Sequence, residues 1–211
     1  MNIKITILSF ILLSQIAYSQ TAKDFFNPKT KINWLGVDFS HAKIIGEFSQ
    51  FAGAGKKGVG EIQNVYVPAW NSLFVNEMEK YDLKKFLHKD NVYIEIDAIM
   101  TKNADTPTES LEGYNPPNYP IDSIVAFVKA TDFPVKNEIG ALLITDYLHK
   151  GIEEAGFHFV VIDLSTKTVL FSKYLKCYPR GFGIRNYWAG AIYDALKNID
   201  SKYREWSKSY R

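Results

Sequence analysis

The chain has one cysteine, Cys177, in 211 residues. A single cysteine cannot form a disulfide bond within the chain, so the bridges that stabilise many small exported proteins are excluded. Stability must come from the packing of apolar residues, which make up 46% of the sequence. We expect Cys177 to be buried as a small hydrophobic residue, because it lies in an apolar stretch, rather than to act as a reactive thiol.

The sequence also lacks an excess of charge of either sign. It has 25 basic and 23 acidic residues, a formal net charge of +2, and no basic run exceeds two residues. Binding to nucleic acid needs a concentrated basic surface that neutralises phosphates. The composition therefore argues against a nucleic-acid partner.

The sequence has no hydrophobic run long enough to cross a bilayer, and its longest run lies at the amino terminus. Lys4 supplies a positive charge, residues 5–17 are mostly apolar, and Ala17 and Ser19 put small residues at the usual cleavage positions. Crossing a bilayer takes about 20 apolar residues, more than this run provides. We predict a cleaved signal peptide over residues 1–19, export to the periplasm or the medium, and no transmembrane span in the mature chain.

Catalytic and cofactor-binding motifs are scarce. The glycine-rich segment 53–60 lies between a predicted strand and a predicted helix, but no Gly-Lys-Ser or Gly-Lys-Thr follows it, so a flexible linker is favoured over a phosphate-binding loop. No Gly-x-Ser-x-Gly sequence occurs. Asp38, Ser40 and His41 suggest a hydrolase, but on a strand Ser40 and His41 would point to opposite faces. We predict no catalytic residue and no cofactor, and whether the protein is an enzyme stays open.

The four histidines do not have the spacing of a metal site. None forms a His-x-x-x-His pair, and no cysteine pair accompanies them. His149 and His158 could lie close together on neighbouring strands, but two ligands without a third favour ordinary surface or core histidines. No metal is predicted.

Hydrophobic periodicity predicts a domain of mixed α and β structure. Residues 20–33 form an extended lead, and residues 34–211 form one domain with a single five-stranded mixed sheet and helices mainly on one face. The predicted order is β-α-β-α-β-β-β-α. The strands span residues 34–45, 92–98, 140–149, 157–164 and 169–177, and the helices span residues 67–81, 121–128 and 188–206.

Two segments are candidates for binding. The proline-rich segment 103–120 is an unusually long predicted loop that contains Tyr114 and Tyr119. The segment 181–188 joins the last strand to the last helix; Asn186 could cap that helix, which would explain the segment structurally. Alternatively, its side chains hold an anionic or aromatic ligand or a protein partner. The residues concerned are Arg185, Tyr187 and Trp188.

This order of elements, over residues 34–205, resembles small α/β modules of bacterial envelope proteins, including the TolB amino-terminal domain and the curli secretion protein CsgG. Residues 68–71 and 181–188 also resemble segments of uncharacterised secreted proteins of Bacteroidetes. The resemblance implies a protein that docks to other proteins. The leading hypothesis is thus an exported, non-enzymatic domain that binds an envelope protein, with its oligomeric state open.

The alternative is a small-ligand or glycan-binding protein, or a weak hydrolase, with Arg185, Tyr187 and Trp188 in the pocket. A concave pocket that joins these residues to the 103–120 segment would favour this alternative, whereas a flat surface would favour protein docking.

Overall fold

The computed structural model describes residues 19–47, 58–134 and 138–210. Most of the predicted signal peptide and most of the glycine-rich segment 53–60 lie outside the described residues. Their predictions therefore remain predictions.

A mixed six-stranded sheet forms the centre of the protein, and the predicted α+β class is confirmed. Its order is β3-β1-β4-β5-β6, with β2 paired to β4 beyond the end of β1. The pairings among β1 to β4 are parallel, and β4, β5 and β6 form two antiparallel hairpins. The strands are β1 (Ile32–Asp38), β2 (Lys43–Ile45), β3 (Val92–Ile94), β4 (Ile139–His149), β5 (Glu154–Asp163) and β6 (Thr168–Cys177).

Eight α-helices surround this sheet within the described residues. They are α1 (Ala22–Phe25), α2 (Val59–Glu61), α3 (Val67–Asn71), α4 (Leu73–Asn76), α5 (Leu83–Leu87), α6 (Asp97–Asp105), α7 (Ile121–Ala130) and α8 (Gly183–Ser209). A π-helix, Ile62–Tyr66, joins α2 to α3, and a 3₁₀-helix, Thr108–Leu111, follows α6.

The hydrophobic core lies on both faces of the sheet. The larger cluster packs α1, α3, α4, α5 and α8 against one face, and includes Trp34, Trp70 and Trp188. The smaller cluster packs Ile99 of α6 and Ile124 of α7 against the other face. The helices thus lie mainly on one face, as predicted, and α6 and α7 leave room for a cavity beside them.

The carboxy-terminal helix α8 has 27 residues and is amphipathic. Its buried stripe, which includes Ile192, Leu196 and Ile199, follows helical spacing, and charged residues occupy the other side. Among the residues that the structure describes, α8 and the shorter helices all lack the combination of length and apolar character that would span a bilayer.

Two predicted strands differ from the structure. The predicted strand 34–45 is interrupted, because a turn over residues 40 and 41 separates β1, which ends at Asp38, from β2, which spans Lys43–Ile45. The predicted strand 92–98 ends at Ile94, and α6 begins at Asp97. Ile96 also fits the helical spacing of Ile99 and Met100, so the alternation of a few apolar and polar residues could not distinguish a strand from a helix here.

Candidate functional site

A cavity of about 850 Å³ lies at the carboxyl end of β1, between the β1–β2 turn, α6 and the end of α7. The carboxyl ends of parallel strands are the usual place for ligands in sheets of this kind. We call it the β1-end cavity. Its walls are formed by Ser40, His41, Lys43, Ala98, Thr101, Lys102, Asp105, Thr106, Pro107, Ser110, Tyr119, Ala130, Thr131 and Asp132.

An ion pair joins the sheet to α6 at the wall of this cavity. Asp38, the last residue of β1, is only 1% exposed, and its Oδ2 accepts a hydrogen bond from Lys102 Nζ at 2.8 Å. Lys102 Nζ also donates to Thr131 Oγ1 at 3.0 Å. An ammonium group has three N–H donors, so these two bonds leave one for a ligand or water in the cavity.

The same carboxylate ends the strand. Asp38 Oδ1 accepts hydrogen bonds from the Ser40 backbone N–H at 2.8 Å and from Ser40 Oγ at 2.6 Å. This is an Asx turn, in which the side chain of an aspartate accepts a hydrogen bond from the backbone N–H two residues later in the chain. Because the chain turns here, strand alternation does not apply, and both Ser40 and His41 line the cavity.

His41 contributes an uncharged wall. Its ring stacks on Phe127 with 3.5 Å between ring centroids, and Tyr119 Oη donates to the His41 carbonyl oxygen at 3.0 Å. Burial lowers the pKa of His41, against the opposing attraction of Asp38, so the imidazole is neutral at neutral pH. Its Nε2 is buried and has no hydrogen-bond partner among the described residues.

The outer wall is held by Gln63 and Lys43. Gln63 Nε2 donates to the carbonyl oxygens of Asn103 at 3.0 Å and Thr106 at 2.6 Å, and Gln63 Oε1 accepts from Thr108 Oγ1. Lys43 Nζ donates to the Ser110 carbonyl oxygen. Much of the segment 103–120, predicted as an irregular loop, is therefore fixed to the rest of the protein and forms one side of the cavity.

The rings of Tyr187 and Trp188 are in contact, with 5.3 Å between their centroids, but the structure does not bring the predicted binding residues together in one cavity. Trp188 is 1% exposed and belongs to the core, while Arg185 pairs with Glu77 at 2.7 Å. Tyr187 lies beside Lys150, whose Nζ is 4.6 Å from the ring centroid. None of these three residues lines the β1-end cavity.

The tyrosines of the segment 103–120 are also separated. Tyr119 lines the cavity, whereas Tyr114 is 91% exposed and lies outside its walls. Asn186 is inside α8, and the residue at the cap position is Phe182. The expected role of Asn186 as the cap is therefore wrong.

His149, His158 and Cys177 do not line the β1-end cavity. His158 pairs with Ile144, and His149 pairs with Glu154, so the two histidines are separated by five positions along β4, about 17 Å. They are not neighbours, contrary to the possibility raised by the sequence. Cys177 is buried, as predicted, and burial raises the pKa of its thiol. Over the described ranges, no three His, Cys, Asp or Glu side chains are grouped as metal ligands would be.

Lys43, Lys102 and Thr131 line the cavity but were not predicted as site residues from the sequence. Each comes from a different element, and only the fold brings them to one cavity. One local signal was present, since an Asp two residues before a Ser after an apolar strand is typical of an Asx turn. Comparisons with protein-family models, curated proteins and solved structures found no match to this chain.

Proposed function

We propose that this is an exported protein that binds a small, hydroxyl-rich ligand, such as a sugar or a short glycan fragment, in the β1-end cavity. The observation that carries the proposal is the cavity itself. Its volume of about 850 Å³ lies in the range of ligand-binding pockets, roughly 300–1,000 Å³.

The chemistry of the walls supports a ligand with several hydroxyl groups. Six hydroxyl-bearing side chains line the cavity: Ser40, Thr101, Thr106, Ser110, Tyr119 and Thr131. Each of these hydroxyl groups except that of Thr101 already donates its proton to an acceptor within the protein, so its oxygen is left to accept hydrogen bonds from ligand alcohols. Because Ser40 Oγ donates its proton to Asp38, its lone pairs are left to accept from a ligand.

The charges favour a neutral ligand. Asp38 compensates Lys102, and the low pKa of His41 leaves that ring neutral. Asp105 and Asp132 stand at the exposed edge, opposite in sign to Lys43. A strongly charged ligand such as a polyphosphate would meet no matching cluster of cations in these walls.

Binding rather than hydrolysis is supported by the position of the candidate nucleophile. Ser40 Oγ is hydrogen-bonded to Asp38, and the His41 ring is stacked on Phe127. A serine nucleophile needs a base that takes its proton and a third group that orients the base. Within the described part of the chain, Ser40 Oγ and the His41 ring form no hydrogen bond with each other.

The proposal is tested by filling the cavity. Ala130 and Ala126 are both exposed alanines of α7, but only Ala130 lines the cavity. A panel of mono- and disaccharides and sugar acids is titrated into the 20–211 chain by isothermal titration calorimetry. We expect a binder whose affinity falls at least about tenfold, or 1.4 kcal/mol, in Ala130→Trp but not in the control Ala126→Trp.

Protein docking is the second candidate, because aromatic side chains are exposed just before α8. Phe182 is 79% exposed and Tyr178 is half-exposed, and isolated large apolar groups of this kind can anchor a partner. A pull-down from envelope extract with the 20–211 chain and with the variant Phe182→Ala, Tyr178→Ala tests it. Recovery of one protein by the wild type alone would support docking at this segment, and equal recovery by both would exclude it.

A further inference from the structure

A fully buried carboxylate binds the chain at the residue predicted to begin the mature protein. Asp163, the last residue of β5, is 0% exposed. Its Oδ1 accepts from the Ser165 backbone N–H at 2.9 Å and from Ser165 Oγ at 2.5 Å, which closes the turn to β6. Its Oδ2 accepts from the Gln20 backbone N–H at 2.9 Å.

Within the described residues, the groups that donate hydrogen bonds to this charged carboxylate are all neutral. Burial by itself would raise the pKa of Asp163, but the hydrogen bonds from Ser165, Gln20 and Thr166 outweigh burial and lower the pKa. No Lys or Arg side chain pairs with Asp163 among the residues described here. The ionised form of such a buried carboxylate is stabilised most when one of its hydrogen-bond donors is a cation.

Cleavage of the signal peptide would supply that cation. Hydrolysis of the Ser19–Gln20 peptide bond consumes one water molecule and leaves a carboxylate on Ser19 and an amine on Gln20. This amine takes up a proton at neutral pH, because α-amines have a pKa of about 7.7–8.0. The new ammonium nitrogen is the same atom that now lies 2.9 Å from Asp163 Oδ2.

We propose that cleavage after Ser19 turns this contact into an ion pair between the α-ammonium of Gln20 and Asp163, which locks the mature amino terminus onto the end of β5 and stabilises the processed protein. The proposal rests on the predicted export of the chain and not on the ligand of the β1-end cavity. The cleavage position is predicted from the small residues Ala17 and Ser19, whereas the contact between Gln20 and Asp163 is seen in the fold. The two observations are therefore independent.

The residues after Gln20 are already fixed in place. Thr21 N–H and Thr21 Oγ1 both donate to Asp24 Oδ2 and so cap α1. Phe25, in α1, is buried against the rings of Phe159 and Phe171. The ammonium group would therefore need little further ordering to reach Asp163, and the ion pair would cost little conformational entropy.

The test is a cycle of four chains: residues 20–211 with a free or an acetylated α-amine, each with Asp163 or with Asp163→Asn. Acetylation keeps the N–H donor and removes the charge. Both chains donate to a charged carboxylate, but only the free α-ammonium adds an attraction between two opposite charges. We therefore expect acetylation to lower the folding equilibrium constant, measured by urea unfolding, about tenfold with Asp163 and less than about twofold with Asn. An equal effect in both backgrounds would overturn the proposal.

A second measurement covers the case in which Asp163→Asn does not fold. The α-amine of the folded 20–211 chain is labelled with an N-hydroxysuccinimide ester, beside a control chain that begins with Gly-Gly-Ser19. We expect at least about tenfold slower α-amine labelling of the 20–211 chain, because its paired ammonium is not nucleophilic, and equal rates would contradict the ion pair.

Amino-terminal sequencing of the protein exported by a host that carries the full gene tests processing separately. A first residue other than Gln20 would overturn the processing step, whatever binds in the cavity.

Discussion

Removal of the Lys102 ammonium is expected to destabilise the protein through Asp38. Lys102→Met keeps much of the length of the side chain but leaves a carboxylate that is 1% exposed with only the Ser40 donors. Breaking a buried ion pair costs about 3–5 kcal/mol, because the remaining charge is uncompensated. The Lys102 side chain is 21% exposed, so water can partly replace it, and we expect a loss of about 2–3 kcal/mol.

A double-mutant cycle measures this coupling. The free energy of unfolding in urea is compared for the wild type, Asp38→Asn, Lys102→Met and the double variant. We expect the double variant to be about as stable as the less stable single variant or more stable, with a coupling of at least about 1.5 kcal/mol. If the two single losses add within about 0.5 kcal/mol, the ion pair does not hold α6 against β1 and the argument fails.

Three further predictions concern other parts of the fold. Burial lowers the pKa of Lys89 to about 8, so between pH 8 and about 10.4 the unfolded chain binds more protons at this residue than the folded chain does. The free energy of unfolding should therefore rise with pH in this window by up to about 3 kcal/mol. Urea unfolding of Lys89→Met should show no such rise. Burial lowers the pKa of His158 to about 4, so stability should fall as pH drops from about 6.5 to 4, and His158→Phe should flatten that acid limb of the same unfolding curve. A Cβ at Gly190 would lie 2.2 Å from the Arg180 carbonyl oxygen, so Gly190→Ala should lower the melting temperature by several degrees, while Gly58→Ala, at a site with open space around it, should not.

The long, strongly periodic elements could be predicted from the sequence. The hairpin strands β4, β5 and β6 and the helix α8 each carry enough apolar residues to fix their type, and the structure places them within a few residues of the expected bounds. The segment around Pro68 was harder. Its apolar spacing predicted one helix over residues 67–81, but the structure breaks it into α3, α4 and a turn.

The candidate site could be predicted only in part. Asp38, Ser40 and His41 attracted attention as residue types, but the alternation rule assumed a strand that the Asp38 side chain ends. Lys102 lies 64 residues from its partner Asp38, and no local pattern signals such a contact. Of the five predicted binding residues, Tyr119 alone lines the cavity. The positions of Arg185, Tyr187 and Trp188 depend on which face of α8 meets the core, and Tyr114 lies on an exposed loop.

The central claim is that the β1-end cavity is a ligand site, and backbone amide NMR of the 20–211 chain with a saccharide and sugar-acid panel tests it most directly. The account predicts that at least one compound binds and that its shifts concentrate on Ser40, Thr101, Lys102 and Thr131, around the cavity walls. Binding with shifts around residues 181–188 instead, or no binding by any compound at millimolar concentration, would contradict it.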